Sequence, residues 1–261
     1  MESGKRLDPR QVRKGASGVK TAFITGVTAG IGEACARMFV ADGWRVIGTG
    51  RRVERLTALG EQLGEAFTPI ALDMRDTDAV IACANGLPPI DLLVNNAGYA
   101  TKADPLQAAE LDPILGMIET NITGLVVLTR TLLPNLIATK GAIIDLSSVA
   151  ASYPYRGGCN YAGTKAYVRA FTLGLRCDLQ GTGVRVTSIE PGMVETEFTV
   201  VRNGGDQAAS DAFYGGVEPL TAQDIAGTIH WVATLPPHFN INALELMPVN
   251  QSWGGFAIER G

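Results

Sequence analysis

Seven short apolar runs punctuate the chain, at 21–25, 45–49, 69–72, 91–94, 142–146, 184–189 and 242–247. Most show little alternation with polar residues, so each strand has two faces to bury rather than one. Strands hidden on both faces belong to a parallel sheet covered by helices on either side. The intervening segments are long enough for crossover helices, and right-handed crossovers generate a doubly wound sheet. The pattern therefore predicts an α/β fold with a parallel seven-stranded sheet and helices on both faces. Helical periodicity is clear from about 31 to 41. A second helical segment, from about 160 to 180, stops at Gly181-Thr-Gly183. Thr221 and Asp224 have the spacing of a capping box, and Pro236-Pro237 ends the helix that follows. No repeat, linker or low-complexity tract interrupts residues 19–261, which read as one domain.

The first 18 residues differ. They carry Lys5, Arg6, Arg10, Arg13 and Lys14 and almost nothing apolar. Without an apolar centre they are no secretory signal and read as a disordered leader, with a basic docking arm as the alternative. The 261 residues are 46% hydrophobic and 18% charged, enough apolar material for a substantial core. A net charge of −4 gives no footprint for nucleic acid or an anionic membrane. No run approaches the length of apolar sequence a membrane span requires. The cysteines at 35, 83, 159 and 177 form no C-x-x-C pair, and the histidines are only His230 and His238. A metal cage or disulfide framework is not expected. A reducing cytoplasm fits, with the four cysteines as small core hydrophobes.

Candidate chemistry begins where run 21–25 meets Gly26-Val-Thr28-Ala-Gly30-Ile31-Gly32. Glycines between a strand and a helix make a tight turn, let backbone approach a pyrophosphate and let the helix pack closely. The helix start then offers free N–H groups to the phosphates. The next strand ends at Gly50-Arg51-Arg52, where an NAD enzyme usually carries a carboxylate for the ribose 2′-hydroxyl. Two guanidiniums in its place match a 2′-phosphate, so NADP(H) is the expected cofactor.

Ser148, Tyr161 and Lys165 form the chemical group. Tyr161 and Lys165 are four apart in a helical segment and share one face. A free tyrosine titrates near 10, and lowering that towards neutrality takes roughly 4 kcal/mol of differential stabilisation. A close ammonium and a cationic nicotinamide could supply it together. Ser148 would hold the substrate oxygen while Tyr161 exchanges the proton.

Thr25-Gly26-x-x-x-Gly30-Ile31-Gly32, Asn95-Asn96-Ala97-Gly98, Asn121, Ser148, Tyr161-x-x-x-Lys165 and Pro191-Gly192 stand in an order and spacing that resembles the short-chain dehydrogenase/reductase family, from residue 19 to the end. The resemblance implies a Rossmann fold and a catalytic tetrad of Asn121, Ser148, Tyr161 and Lys165. In it Lys165 also holds the nicotinamide ribose, and Asn121 keeps a relay water. It implies cofactor contacts from Gly26, Thr28, Gly30, Ile31, Gly32, Asp73, Met74, Asn95, Ala97 and Gly98. Further contacts would come from Pro191, Gly192, Val194 and Thr196. It also implies a homotetramer, with the helices around 110–138 and 160–180 between subunits and the tail from Trp253 reaching a neighbour. The asparagines of the 95–98 motif could instead only satisfy buried backbone.

One subgroup is matched especially, the NADP-dependent 3-hydroxy acid dehydrogenases, through 49–55, 153–158, Thr196-Glu-Phe198 with Val201-Arg202, and 240–251. Its members act on serine, malonic semialdehyde or sulfoacetaldehyde, small molecules that each carry an anionic carboxylate or sulfonate. Such a substrate needs a cation, and Arg156 or Arg202 could grip its carboxylate or sulfonate, with Tyr155 as a pocket wall. Asn203-Gly204-Gly205 suggests a hinged lid. A carbonyl reductase of larger ketones or ketoacyl thioesters is the enzymatic alternative. A non-catalytic NADP-binding sensor is the remote one.

Overall fold

The structure is a computed structural model that describes residues 18–253. The basic leader residues and the tail beyond Trp253 lie outside the described residues. In chain order the strands are β1 (Thr21–Thr25), β2 (Arg45–Gly50), β3 (Phe67–Ala71), β4 (Leu92–Asn95), β5 (Ala142–Leu146), β6 (Arg185–Pro191), β7 (Val194–Glu195), β8 (Leu220–Thr221) and β9 (Ala243–Leu246). Seven of them form one parallel sheet in the order β3-β2-β1-β4-β5-β6-β9. Pro69 lies in β3 and is tolerated there because β3 is an edge strand, with no second neighbour to ask for its missing N–H.

The helices are α1 (Gly30–Ala41), α2 (Val53–Leu63), α3 (Thr77–Asn85), α4 (Leu111–Ile118), α5 (Leu125–Thr139), α6 (Cys159–Asp178), α7 (Glu197–Arg202), α8 (Gln207–Tyr214) and α9 (Ala222–Ala233). Successive side chains of each strand point to opposite faces, and both faces are packed. Ala22, Ile24, Val94 and Ile144 join one cluster with residues of α1, α2 and α9. Phe23, Ile47, Leu93 and Ile143 join a second with residues of α3, α5 and α6. Full burial of an Ile, Leu or Phe contributes about 1.5–3 kcal/mol, so the absence of polar alternation in the strands reflects two cores rather than one. Thr221 and Asp224 make the expected reciprocal capping box at α9, which ends before the two prolines.

Three expectations change. Leu111–Thr139 is one continuous helical run and, on length and composition, long and apolar enough to span a membrane. Here Leu128, Leu132 and Leu136 pack into the second core instead. The run is also broken by a π-helical turn, Glu119–Gly124, that carries the buried Asn121. Only Cys35 is fully buried; Cys83 is half-buried, and Cys159 and Cys177 are exposed, so two of the four are surface residues rather than core. Finally, β7 and β8 pair only with each other, making a small parallel sheet that the apolar pattern did not show. Two-residue strands have no period to read.

Leu111, Leu115, Ile137 and Tyr167 remain exposed on the α4, α5 and α6 layer. That layer has more apolar surface than one sheet face covers.

Candidate functional site

A cavity of about 740 Å³ opens at the carboxyl ends of the central strands, in the crevice where β1 and β4 send their connections to opposite faces. The glycine turn forms one end of it. Gly26 has φ +75°, and its N–H and that of Val27 both donate to Thr49 O, at 2.8 and 2.9 Å. Asn96 Nδ2 donates to Thr25 O and Gly26 O, which ties the turn to β4. Gly32 does not line the cavity but lies beneath the turn. A Cβ there would sit 2.2 Å from Gly26 O and 2.5 Å from Asn96 Nδ2. Its role is helix packing, whereas Gly26, Thr28, Gly30 and Ile31 do line the cavity. Ala29 precedes α1 without any side-chain cap, which leaves the first-turn N–H groups for an anion.

At the end of β2, Gly50, Arg51 and Arg52 line the same cavity. Arg52 donates to Thr28 Oγ1 through Nε and Nη2, at 3.1 and 3.0 Å, and to Glu197 through Nη1 at 2.8 Å. Arg55, which the sequence reading did not assign to the cofactor, also donates to Glu197, at 2.7 Å. Burial works against the Glu197 carboxylate, but the two arginines prevail and hold its pKa below the ordinary value. Asp73 and Met74 line the wall opposite. Asp73 is gripped by the guanidinium of Arg75 two residues on, and that bond lowers its pKa against a smaller effect of burial.

Ser148, Tyr161 and Lys165 converge on the cavity as their spacing predicts. Ser148 caps the short turn Val149–Ala151, accepting from Ala150 N and donating to Pro191 O at 3.3 Å. Tyr161 and Lys165 project from the first turns of α6. Burial raises the Tyr161 phenol above its ordinary value, opposed by the Ser148 hydroxyl and by Arg202. Lys165 Nζ lies 5.8 Å from the Tyr161 ring centroid and is committed to Leu146 O at 2.7 Å. Burial lowers its own pKa to about 8, with Asp145 pulling the other way. Asp145 is fully buried between Asn95 Nδ2 (2.7 Å) and Thr172 Oγ1 (2.8 Å), and burial lifts it to about 6 against those bonds.

Two asparagines stand behind the wall rather than in it. Asn95 does not line the cavity; it bonds Thr129 and Asp145 within the sheet layer. Its partners are side chains; the backbone-satisfying role allowed for the motif falls to Asn96, whereas Ala97 and Gly98 line the cavity. Asn121 accepts from Tyr99 N at 3.1 Å and donates to Tyr99 O and Thr164 Oγ1. A Cβ on Gly98 would come 3.1 Å from Asn121 Oδ1 and 3.6 Å from Lys165 Nζ, so the two side chains meet at Gly98.

The far end holds the substrate candidates. Pro191, Gly192, Val194 and Thr196 line it, and Thr196 caps α7 by accepting from Phe198 N. The Phe198 ring stands 5.6 Å from that of Tyr161, and the Arg202 guanidinium lies 5.3 Å over the ring of Tyr155. Arg202 and Tyr155 line the cavity. Arg156 does not: it is exposed, because Gly157 at φ +76° turns the loop against Ala103 and leaves the arginine outside. The α7–α8 connection passes through Gly204 and Gly205, both at positive φ. Sequence reasoning missed Gln251, whose Oε1 accepts from Met193 N at 2.7 Å, and Trp253, whose ring lies tilted 5.3 Å from that of Tyr153. Neither belongs to a periodic or glycine-marked motif. Among the described residues no cluster of His, Cys, Asp or Glu is arranged to hold a metal ion.

The profile of the short chain dehydrogenase family matches residues 20–206. The chain is 59% identical over 244 residues to a serine 3-dehydrogenase of Agrobacterium fabrum, covering 92% of this chain and 98% of that protein. It is 51% identical over 246 residues to sulfoacetaldehyde reductase 2 of Chromohalobacter salexigens, covering 91% and 98%. Among solved structures it resembles the closed form of a serine dehydrogenase complexed with NADP+, with a TM-score of 0.90 and 45% identity over 92% of this chain and all of that one. With a glycine-cradled helix start at one end of its crevice and Ser148, Tyr161 and Lys165 at the other, the chain belongs to the short chain dehydrogenase family.

Proposed function

We propose that this protein transfers a hydride between NADP(H) and a small 3-hydroxy acid, or the matching semialdehyde or sulfoaldehyde, with Tyr161 as the general acid/base. The observation that carries this reading is a single cavity into which α6 presents Tyr161 and α7 presents Arg202. A proton donor and a cation then line one cavity that a small substrate can enter. The residues present fit the cofactor: an uncapped helix start, a turn that no Cβ could enter, and arginines where a carboxylate would repel a 2′-phosphate. When bound, NADP(H) supplies or accepts the hydride. Gly26, Thr28, Gly30 and Ile31 hold its pyrophosphate, Arg51 and Arg52 its 2′-phosphate, and Asp73 and Met74 flank the adenine.

The chain's own residues handle position and protons. Arg202 holds the substrate carboxylate or sulfonate through its guanidinium fork. Ser148 Oγ hydrogen-bonds the reacting oxygen. Tyr161 Oη gives that oxygen a proton in reduction and takes one in oxidation. Burial raises the Tyr161 phenol, which favours the neutral form that donates a proton in reduction. Lys165 and Asn121 meet at Gly98, where Asn121 would keep the water of a proton relay. The exposed apolar layer of α4, α5 and α6 supports a homotetramer, and four free cysteines support a reducing, cytoplasmic setting.

The test follows NADPH absorbance against malonic semialdehyde and sulfoacetaldehyde, and NADP+ against serine and 3-hydroxypropionate. Turnover of a small anion, abolished in Tyr161→Phe with NADPH binding intact, is expected. Activity confined to ketoacyl thioesters or ring ketones would overturn the substrate class. Undiminished turnover in Tyr161→Phe would overturn the proton role.

A further inference from the structure

One side chain ties the two ends of the cavity by ion pairs. Glu197 opens α7, the helix that carries Phe198 and Arg202 to the substrate end, yet its carboxylate reaches the adenosine end and bonds Arg52 and Arg55. These partners lie 145 and 142 residues away in the chain. The lid formed by α7 and α8 is otherwise fastened at its base, where β7 pairs with β8 and Tyr214 Oη donates to Val194 O and pairs with Thr199 Oγ1. Two glycines with positive φ, Gly204 and Gly205, break the far side. Glu197 is thus the lid's ionic attachment to the β2–α2 corner.

Charge counting gives the attachment a second meaning. Arg51, Arg52 and Arg55 bring three positive charges to this corner, and Glu197 takes up one. Two remain, which match the roughly two negative charges of a phosphate monoester at neutral pH. Arg52 spends Nε and Nη2 on Thr28 and one N–H of Nη1 on Glu197. It has further N–H groups for an anion, because a guanidinium carries five.

We propose that Glu197 is a positioning residue that fastens the substrate lid to the arginine corner, where Arg52 both holds its carboxylate and reads the cofactor's 2′-phosphate. The proposal rests on the reading of Arg51 and Arg52 given above. Its consequence is an opposition of signs. Without the carboxylate the lid loosens, while the arginine corner becomes more positive and binds the phosphate at least as well. Generic damage to the fold would weaken both.

The experiment compares hydrogen exchange over residues 197–214 and NADPH affinity by fluorescence titration. The proteins are the wild type, Glu197→Gln, the charge swap Arg55→Glu/Glu197→Arg, and Arg51→Ala. Two half-exposed ion pairs on one carboxylate correspond to about a fivefold change in an opening equilibrium. Glu197→Gln is expected to exchange about fivefold faster in 197–214, with 161–178 unchanged and NADPH bound no more weakly. The swap is expected to restore protection. Unchanged exchange in Glu197→Gln, a parallel loss of NADPH affinity, or a swap that restores nothing would each overturn the proposal. Arg51→Ala separates it from the reading beneath: that reading fails if the preference for NADPH over NADH survives this change, whatever the lid does.

Discussion

Removing Arg202 tests the substrate assignment most directly. Its guanidinium lies over Tyr155 at the cavity wall, on the helix that also brings Phe198 against Tyr161. Arg202→Ala leaves the backbone of α7 in place, since the caps at Thr196 and the Glu197 ion pairs do not involve it. It removes one charge-assisted partner of the substrate anion, worth about 1.5–3 kcal/mol. At roughly 1.4 kcal/mol per factor of ten, kcat/KM for a small acid should fall by about 10- to 150-fold. Arg202→Lys keeps the charge but not the planar fork and should recover only part of it. Arg202 also opposes the rise of the Tyr161 phenol, so the pH profile of oxidation should move to higher pH in Arg202→Ala. Arg156→Ala, at an exposed residue outside the cavity, should match the wild type. The assay is initial-rate NADPH formation from serine and consumption with sulfoacetaldehyde across a pH series. The reasoning fails if Arg202→Ala keeps kcat/KM within about twofold while Arg156→Ala loses it.

Gly32→Ala places a methyl 2.2 Å from Gly26 O, so α1 must back away from the turn. A stability loss of about 3 kcal/mol and at least a tenfold weaker NADPH affinity are expected, read by denaturant unfolding and fluorescence titration. Asp145 has a folded pKa near 6, raised from 3.8 by burial. The native state then binds more protons than the unfolded chain between about pH 4 and 6, and stability falls as pH rises through that window, by up to ~3 kcal/mol. Asp145→Asn should flatten this decline in urea midpoints measured from pH 4 to 7. Its carbonyl can still accept from Asn95, and its amide can donate to Thr172 Oγ1, which already donates to Val168 O.

What the sequence made legible was local. Strands buried on both faces, the glycine turn, the Thr221–Asp224 box and the Tyr161–Lys165 face are each set within a few residues, and all reappear in the fold. Pairings across the chain carry no such mark. Glu197 reads as an ordinary first-turn carboxylate until folding sets it beside Arg55, and Asn95 reads as a cofactor residue until Asp145 claims it. The sequence inclined towards Arg202, which lies in the subgroup-like segment, without excluding Arg156; the bend at Gly157 against Ala103 separates them. Tyr161 shows the same limit in energetics. Spacing gave it an ammonium neighbour, but burial depends on the whole wall around it and acts in the other direction.

The strand order has a consequence for synthesis. β6 is an inner strand only while β9 lies beside it, with Ser188 N–H donating to Asn242 O and Gly192 N–H to Leu246 O. Between the two in the chain come the entire lid and α9. As the ribosome adds about 5–20 residues per second, several seconds separate the emergence of β6 from that of its outer neighbour. For that interval its edge is open to the strands of other nascent chains. The segment that carries Phe198 and Arg202 to the cavity is also the segment that sets this delay. A longer insertion between β6 and β9 would lengthen the exposure of that edge.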